Sequence, residues 1–190
     1  MSVIETYSGR EIPNTKIMAH DQQRDFIKKT KDHFPEFFDD VSVIEVGSLN
    51  INGTVRDFFT NTKSYVGIDL IEGNGVDVVM PGKFYEAHDI DTVISTECFE
   101  HDKDWVKTFE NMVSMARKGG FIVFTCASEG RQEHGTTRTS PADSPATTDY
   151  YENRTQKDFE DAFDIKSLFS KSLFEYNPIT RDLYFWGVKK

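Results

Sequence analysis

The chain is short of positive charge, of long apolar runs, of cysteine and of a dinucleotide-type glycine pattern, and each shortage excludes something. Across 190 residues, 22 lysines and arginines face 32 aspartates and glutamates, a formal charge of −10. That balance offers no basic footprint to a nucleic-acid backbone. No window reaches the ~18 consecutive apolar residues of a membrane-spanning helix. Neither nucleic acid nor a bilayer is an expected partner. The two cysteines, Cys98 and Cys126, show neither a CxxC nor a Cys/His ligand spacing. The sequence therefore predicts a reduced, cytoplasmic protein without structural zinc, and no metal ligands are expected. Both thiols follow apolar runs, where small buried residues are common, and read as core rather than as nucleophiles. The opening residues, MSVIETYSGREIPNT, lack the basic-then-apolar order of a secretory signal.

What is present is a series of short, β-branched runs. Residues 41–46, VSVIEV, read as a strand buried on both faces, with Glu45 as the polar intrusion. Runs at 64–69, 76–79, 91–95 and 120–127 alternate with polar or helical stretches, the pattern of βαβ units on a parallel sheet. From Met18 to Phe38, Phe26, Ile27, His33, Phe34 and Phe37 recur near helical spacing, which predicts an amphipathic helix ending near Pro35. A second helix is expected from Asp104 to Arg117, its apolar stripe formed by Trp105, Phe109, Met112, Val113 and Ala116, with Lys-Gly-Gly at 118–120 as C-cap. A third runs from Thr155 to Ala162 with Thr155 as N-cap. Residues 165–176 and 182–190 read as two strands around an Asn-Pro turn, an antiparallel closing hairpin. The length suits a single domain over 1–190, with 1–39 as an N-terminal helical cap and sixteen phenylalanines as core. The expected fold class is α/β: a three-layer, Rossmann-like, doubly wound sheet, mostly parallel, with an antiparallel C-terminal strand.

In such a sheet a ligand sits beyond the carboxyl ends of the strands. After the first run come Gly47, which allows a tight turn, and Gly53, placed where a helix is expected to begin. GxGxxG is missing. That departure argues against a pyrophosphate seated on a glycine-lined helix start. About twenty residues beyond Gly47, Asp69 ends the second run, where an acid can accept from both hydroxyls of a ribose. A strand-ending aspartate that only caps a turn is the alternative. Residues 128–150, polar and rich in Ser and Thr, are too long for a plain connector and read as a substrate loop or a disordered excursion.

The succession VIEVGSLNINGTVRDFF (43–59), YVGIDLIEGNGVDVV (65–79), DTVISTECFEHDKDW (91–105), GGFIVFTCASEGRQEHGT (119–136) and NPITRDLYFWGVKK (177–190) resembles the class I S-adenosylmethionine-dependent methyltransferases. It is especially similar to their small stand-alone domain proteins. The resemblance covers about residues 40–190 and implies S-adenosylmethionine as cofactor, S-adenosylhomocysteine as product and a small-molecule acceptor. It implies that Glu45, Gly47, Ser48 and Asn50 form the first loop around the methionine part, with Glu45 orienting this loop or reaching the ammonium through water. Asp69 then binds the ribose, Leu70 and Ile71 flank the adenine, and Ser95, Thr96 and Glu97 lie under the sulfonium. Glu100-His101 matches the family's fourth-strand motif. The family's acid after the third strand is replaced by Met80, Pro81 and Gly82, and Asp77, read as inside the strand, is a poor substitute. The short connection to Asp91 predicts a turn in place of a helix.

Methyl transfer to a hydroxyl needs alignment and a proton acceptor, and histidine suits that role at neutral pH. His134 and His101 are the candidates; a loop anchor for His134 and simple packing for His101 are the alternatives. Arg131, Arg138, Tyr150 and Tyr151 lie in or beside the long loop and are placed to hold an acceptor's phosphate or carboxylate, or else form a solvated surface. The family association and this loop suggest a hydroxyl of a sugar or similar polar metabolite. A non-catalytic scaffold that binds the cofactor, an NAD-dependent enzyme on a related sheet, and a homodimer or partner subunit stay open; the missing GxGxxG and TyrxxxLys pair count against the NAD reading.

Overall fold

The computed structural model describes residues 19–190. Met18, where the first helix was expected to start, and the stretch weighed as a secretory signal lie outside them. Helix α1 (Ala19–His33) is followed by a single 3-10 turn at Pro35–Phe37, so the expected stop near Pro35 is observed. The strands are β1 (Asp39–Val46), β2 (Asn61–Asp69), β3 (Val78–Val79), β4 (Ile90–Thr96), β5 (Ala116–Ala127), β6 (Phe169–Asn177) and β7 (Asp182–Lys189). They form one seven-stranded sheet in the order β3-β2-β1-β4-β5-β7-β6. β1 pairs parallel with β2 and β4, whereas β7 is antiparallel to both β5 and β6. This is the mostly parallel sheet with an antiparallel C-terminal strand that the sequence predicts.

Alternation along β1 explains the layers. Val41 and Val43 face one side and pack with Phe26 and Ile27 of α1; Ile44 and Val46 face the other. That second face is covered by α2 (Trp105–Met115), α3 (Gln156–Ala162) and the one-turn α4 (Ile165–Leu168) through Trp105, Phe109, Met112, Phe159 and Ile165. Phenylalanines 99, 109, 121, 124, 159 and 185 are fully buried. Thr155 caps α3 in a reciprocal box with Asp158, as the sequence predicts.

Four local expectations are corrected. No helix begins at Gly53: the Asn50 side chain accepts from Gly53 N at 2.8 Å and Thr54 Oγ1 accepts from Arg56 N at 3.1 Å, local bonds that hold successive turns and lead only into one short turn. Only a 3-10 turn at Arg56–Phe58 remains in that crossover. The second helix stops at Met115, because Ala116 is already extended and paired with Ile90. Lys-Gly-Gly therefore does not cap it; Gly119 (φ +70°) and Gly120 form a kink inside β5, where a Cβ on Gly120 would stand 2.9 Å from the Arg117 carbonyl. The run from 165 opens as α4 because the Asp164 side chain caps Ser167 N at 3.1 Å. Asp77 precedes β3 instead of lying in it, since its carboxylate is drawn to Gly67 N (2.7 Å) and Arg56 (2.9 Å). The β3–β4 connection has the expected turn, Gly82–Phe84, pinned to α2 by Asn111, whose side-chain amide donates to the carbonyls of Gly82 and Tyr85 at 2.8 Å each.

Candidate active site

Strand order reverses at β1, and there the carboxyl ends of β1, β2 and β4 open into a cavity of about 810 Å³. The segment 131–134 and the loop 143–150 wall its far side. No helix among the described residues is long and apolar enough to cross a membrane.

The near end is built from three loops that meet closely. Gly47 sits at φ +78°, and a Cβ there would fall 2.7 Å from Cys98 Cβ. A Cβ on Gly67 would lie 2.2 Å from the Gly75 carbonyl and 2.7 Å from Ser48 Oγ, so only glycine lets β2 and its neighbours converge. Asp69 braces this convergence: its Oδ2 accepts from Leu49 N at 3.0 Å and its Oδ1 from Leu70 N at 2.7 Å. Burial raises its pKa, against the pull of these amides. Each oxygen retains a further acceptor site. Glu45 is only 3% exposed and accepts from Tyr65 Oη at 2.8 Å. Burial, the largest influence, pushes its carboxyl up to about 7, although Tyr65 and Arg56 oppose the rise. The Tyr65 hydroxyl is its one side-chain hydrogen-bond donor among the described residues, which leaves the carboxyl with further acceptor capacity toward the cavity.

The far end is a cluster of acids and imidazoles. Glu97 is held in left-handed backbone (φ 51°) and accepts from Thr125 Oγ1 at 2.8 Å; burial, then Glu100 and Asp182, keep it far above the usual carboxylate range. Glu100 is fully buried, and burial lifts it to about 7. Rings of His101, His134 and Tyr151 meet edge to face, with centroids 4.9–5.4 Å apart. Burial lowers His101 to about 4 and also lowers His134, so both imidazoles are neutral at pH 7. Burial pushes the Cys98 and Cys126 thiols up, which disfavours a thiolate nucleophile.

Of the residues singled out for the cofactor, Glu45, Gly47, Ser48 and Gly53 line the cavity, as do Asp69, Leu70, Thr96 and Glu97. Asn50, Ile71 and Ser95 are not in the lining; Asn50 spends its side chain on the turn to Gly53, and Ser95 is fully buried in β4. His101, His134, Arg131 and Tyr150 line the far end. Arg131 is already engaged, donating to the Thr180 carbonyl at 2.7 Å and lying 3.3 Å from the buried Asp182. Arg138 is turned away onto Glu133 at 2.7 Å, and Tyr151 stands behind the histidines, donating to the Gln132 carbonyl. Residues that sequence reasoning left out of the site include Gln23 of α1, Met80 to Lys83, and Ser144 to Thr147. Glu100 was noted only as half of a Glu-His pair; a carboxylate beside a histidine directly after a buried strand was the available signal.

No protein-family model matches the sequence, and no curated protein matches it. Solved structures do resemble the fold. The magnesium protoporphyrin IX methyltransferase ChlM of Synechocystis PCC 6803, crystallised with S-adenosylmethionine, superposes with a TM-score of 0.64 at 11% identity, over 97% of this chain and 87% of that one. The 1,6-didemethyltoxoflavin-N1-methyltransferase of Burkholderia thailandensis gives 0.57 at 13%, over 97% and 93%. The N-methyltransferase NodS of Bradyrhizobium japonicum WM9 gives 0.54 at 12%, over 87% and 97%. The chain thus has the class I methyltransferase fold.

Proposed function

We propose that this chain transfers a methyl group from S-adenosylmethionine to a polar small molecule and releases S-adenosylhomocysteine. The observation that carries the reading is the pairing of two acids, the buried Glu45 and the half-buried Asp69, on either side of the Gly47 turn at the switch point. A cationic amino-acid end fits against Glu45, and vicinal ribose hydroxyls fit the free acceptor sites of Asp69. Leu70 and Met80, both on the cavity wall and over a third exposed, offer an apolar slot for adenine in place of an acid. The sulfonium then lies above Thr96 and Glu97, and the acceptor enters between the 97–104 segment and the 128–150 loop, which serves as its binding loop.

At that end the lining is polar, with Gln132, Asp102, Asp149 and Tyr150 beside His134 and His101. This favours a hydroxyl-bearing acceptor such as a sugar. The methyl passes from sulfur to the acceptor oxygen in line, sulfur keeps the electron pair, and the hydroxyl proton goes to a neutral imidazole. His134 is the better acceptor, because a pKa of about 4 makes His101 a weak base.

Calorimetric titration with S-adenosylmethionine, S-adenosylhomocysteine and NAD tests the reading. Micromolar binding of the two adenosyl ligands is expected, weakened about 10-fold or more in Asp69→Ala from the lost charged hydrogen bonds. Binding of NAD alone, or of none of the three, would refute it.

A further inference from the structure

At the far end of the cavity, acceptor atoms outnumber donors. Glu100 is fully buried, and no side chain among the described residues donates to its carboxylate oxygens; the backbone amides of Glu100 itself and Ala127 are the donors that approach them. Beside it, His101 Nδ1 is buried and unpartnered. The two nearby guanidinium groups are engaged elsewhere: Arg131 is directed to Thr180 and Asp182, and the buried Arg154 to the Phe99 carbonyl and Glu152. His134 completes the group: one nitrogen or oxygen from each of Glu100, His101 and His134 lies within 4.8 Å of the other two. Leaving a buried carboxylate without a paired cation is expensive, and Arg131 acts on Glu100 only from a distance, without an ion pair among the described residues.

We propose that Glu100, His101 and His134 hold a divalent transition-metal ion at the acceptor end of the cavity. Two imidazoles and a carboxylate suit zinc, cobalt, manganese or ferrous iron better than magnesium or calcium, which favour oxygen ligands throughout. His134 is prepared for the role: its Nδ1 lies 3.1 Å from the Gln132 carbonyl, and donation there leaves Nε2 with a free lone pair. Metal–ligand bonds of about 2.1 Å place neighbouring donors roughly 3.3 Å apart. The cluster would reach that spacing by a small shift of the loop segment that carries both Gln132 and His134, with their hydrogen bond kept, toward Glu100 and His101 in the turn after β4. His101 and His134 both line the cavity, so the ion's remaining positions open toward it.

The ion's purpose rests on the methyl-transfer reading; its binding does not. With the ion present the histidines would act as ligands instead of proton acceptors, and the ion would supply Lewis acidity that makes an acceptor hydroxyl easier to deprotonate, the proton passing to solvent. Chelator-stripped, tag-free protein titrated with Co²⁺ by visible absorption and with Zn²⁺ by calorimetry tests the site, alongside Glu100→Gln and His134→Ala. One ion per chain with micromolar or tighter affinity is expected, weakened about 100-fold or more in His134→Ala with circular dichroism unchanged. No binding to the wild type at millimolar ion, or equal affinity in a folded His134→Ala, would overturn the proposal. Should Glu100→Gln fail to fold, His134→Ala alone decides. S-adenosylhomocysteine affinity on the same samples separates the two readings: its absence beside intact ion binding would remove the methyltransferase and leave the metal site.

Discussion

Replacing Glu45 by glutamine should stabilise the ligand-free protein, and should do so only above acidic pH. Glu45 lies in the centre of the sheet, 3% exposed, with Tyr65 as its side-chain hydrogen-bond donor. Burial moves its carboxyl from 4.5 to about 7. Between those two values the folded chain holds a proton that the unfolded chain has released, so stability falls as pH rises, by about 1.4 kcal/mol per pH unit. Above about pH 7 the loss is complete, near 3 kcal/mol. Glutamine keeps the shape and still accepts from Tyr65 through its carbonyl, but carries no charge to desolvate. Urea or thermal melts should therefore coincide for Glu45→Gln and wild type at pH 4.5 and separate by pH 8 to about 3 kcal/mol, roughly 6–12 °C in Tm for a chain of this size. Parallel pH profiles for the two proteins would show that Glu45 is not held protonated, and the reasoning would fail. If Glu45 faces the ammonium as proposed above, the same variant should bind S-adenosylhomocysteine about 10-fold more weakly or worse. Gain of stability with loss of affinity is the mark of an acid kept for a ligand.

Two further substitutions probe how the site is supported. Gly47→Ala puts a side chain on left-handed backbone and against Cys98 Cβ at 2.7 Å; a loss of about 2–4 kcal/mol in urea denaturation is expected, and a loss under about 0.5 would show that the turn relaxes freely. Thr155→Ala removes the capping box with Asp158 at the start of α3 and should cost about 1 kcal/mol, visible as a Tm lower by roughly 2–4 °C with cofactor affinity unchanged.

The amino-acid sequence alone was enough for the buried strands, the mostly parallel three-layer architecture and most residues at the near end of the cavity. β-branched runs such as 41–46 can be satisfied only by burial on both faces, and their order along the chain left a parallel sheet with a closing hairpin as the consistent arrangement. Because that topology gathers the strand ends, Glu45, Gly47, Asp69 and Glu97 were legible as neighbours without any knowledge of contacts. Thr155 was legible for the same local reason, since its partner stands three residues away.

Tertiary structure decided whatever depends on a partner distant in sequence. The helix expected at Gly53 gives way to a turn held by Asn50 and Thr54, and Ala116 leaves α2 because Ile90 of β4 pairs with it. Arg131 looked free in the sequence and is committed to Thr180 and Asp182, some fifty residues on. Glu100 looked like half of a motif; only the folded chain shows it fully buried without a side-chain donor and with His134 of the long loop at its side. Periodicity and capping act over a few residues and can be read in order along the chain. Desolvation and charge pairing act through space, and they acquire a value only when the chain has folded.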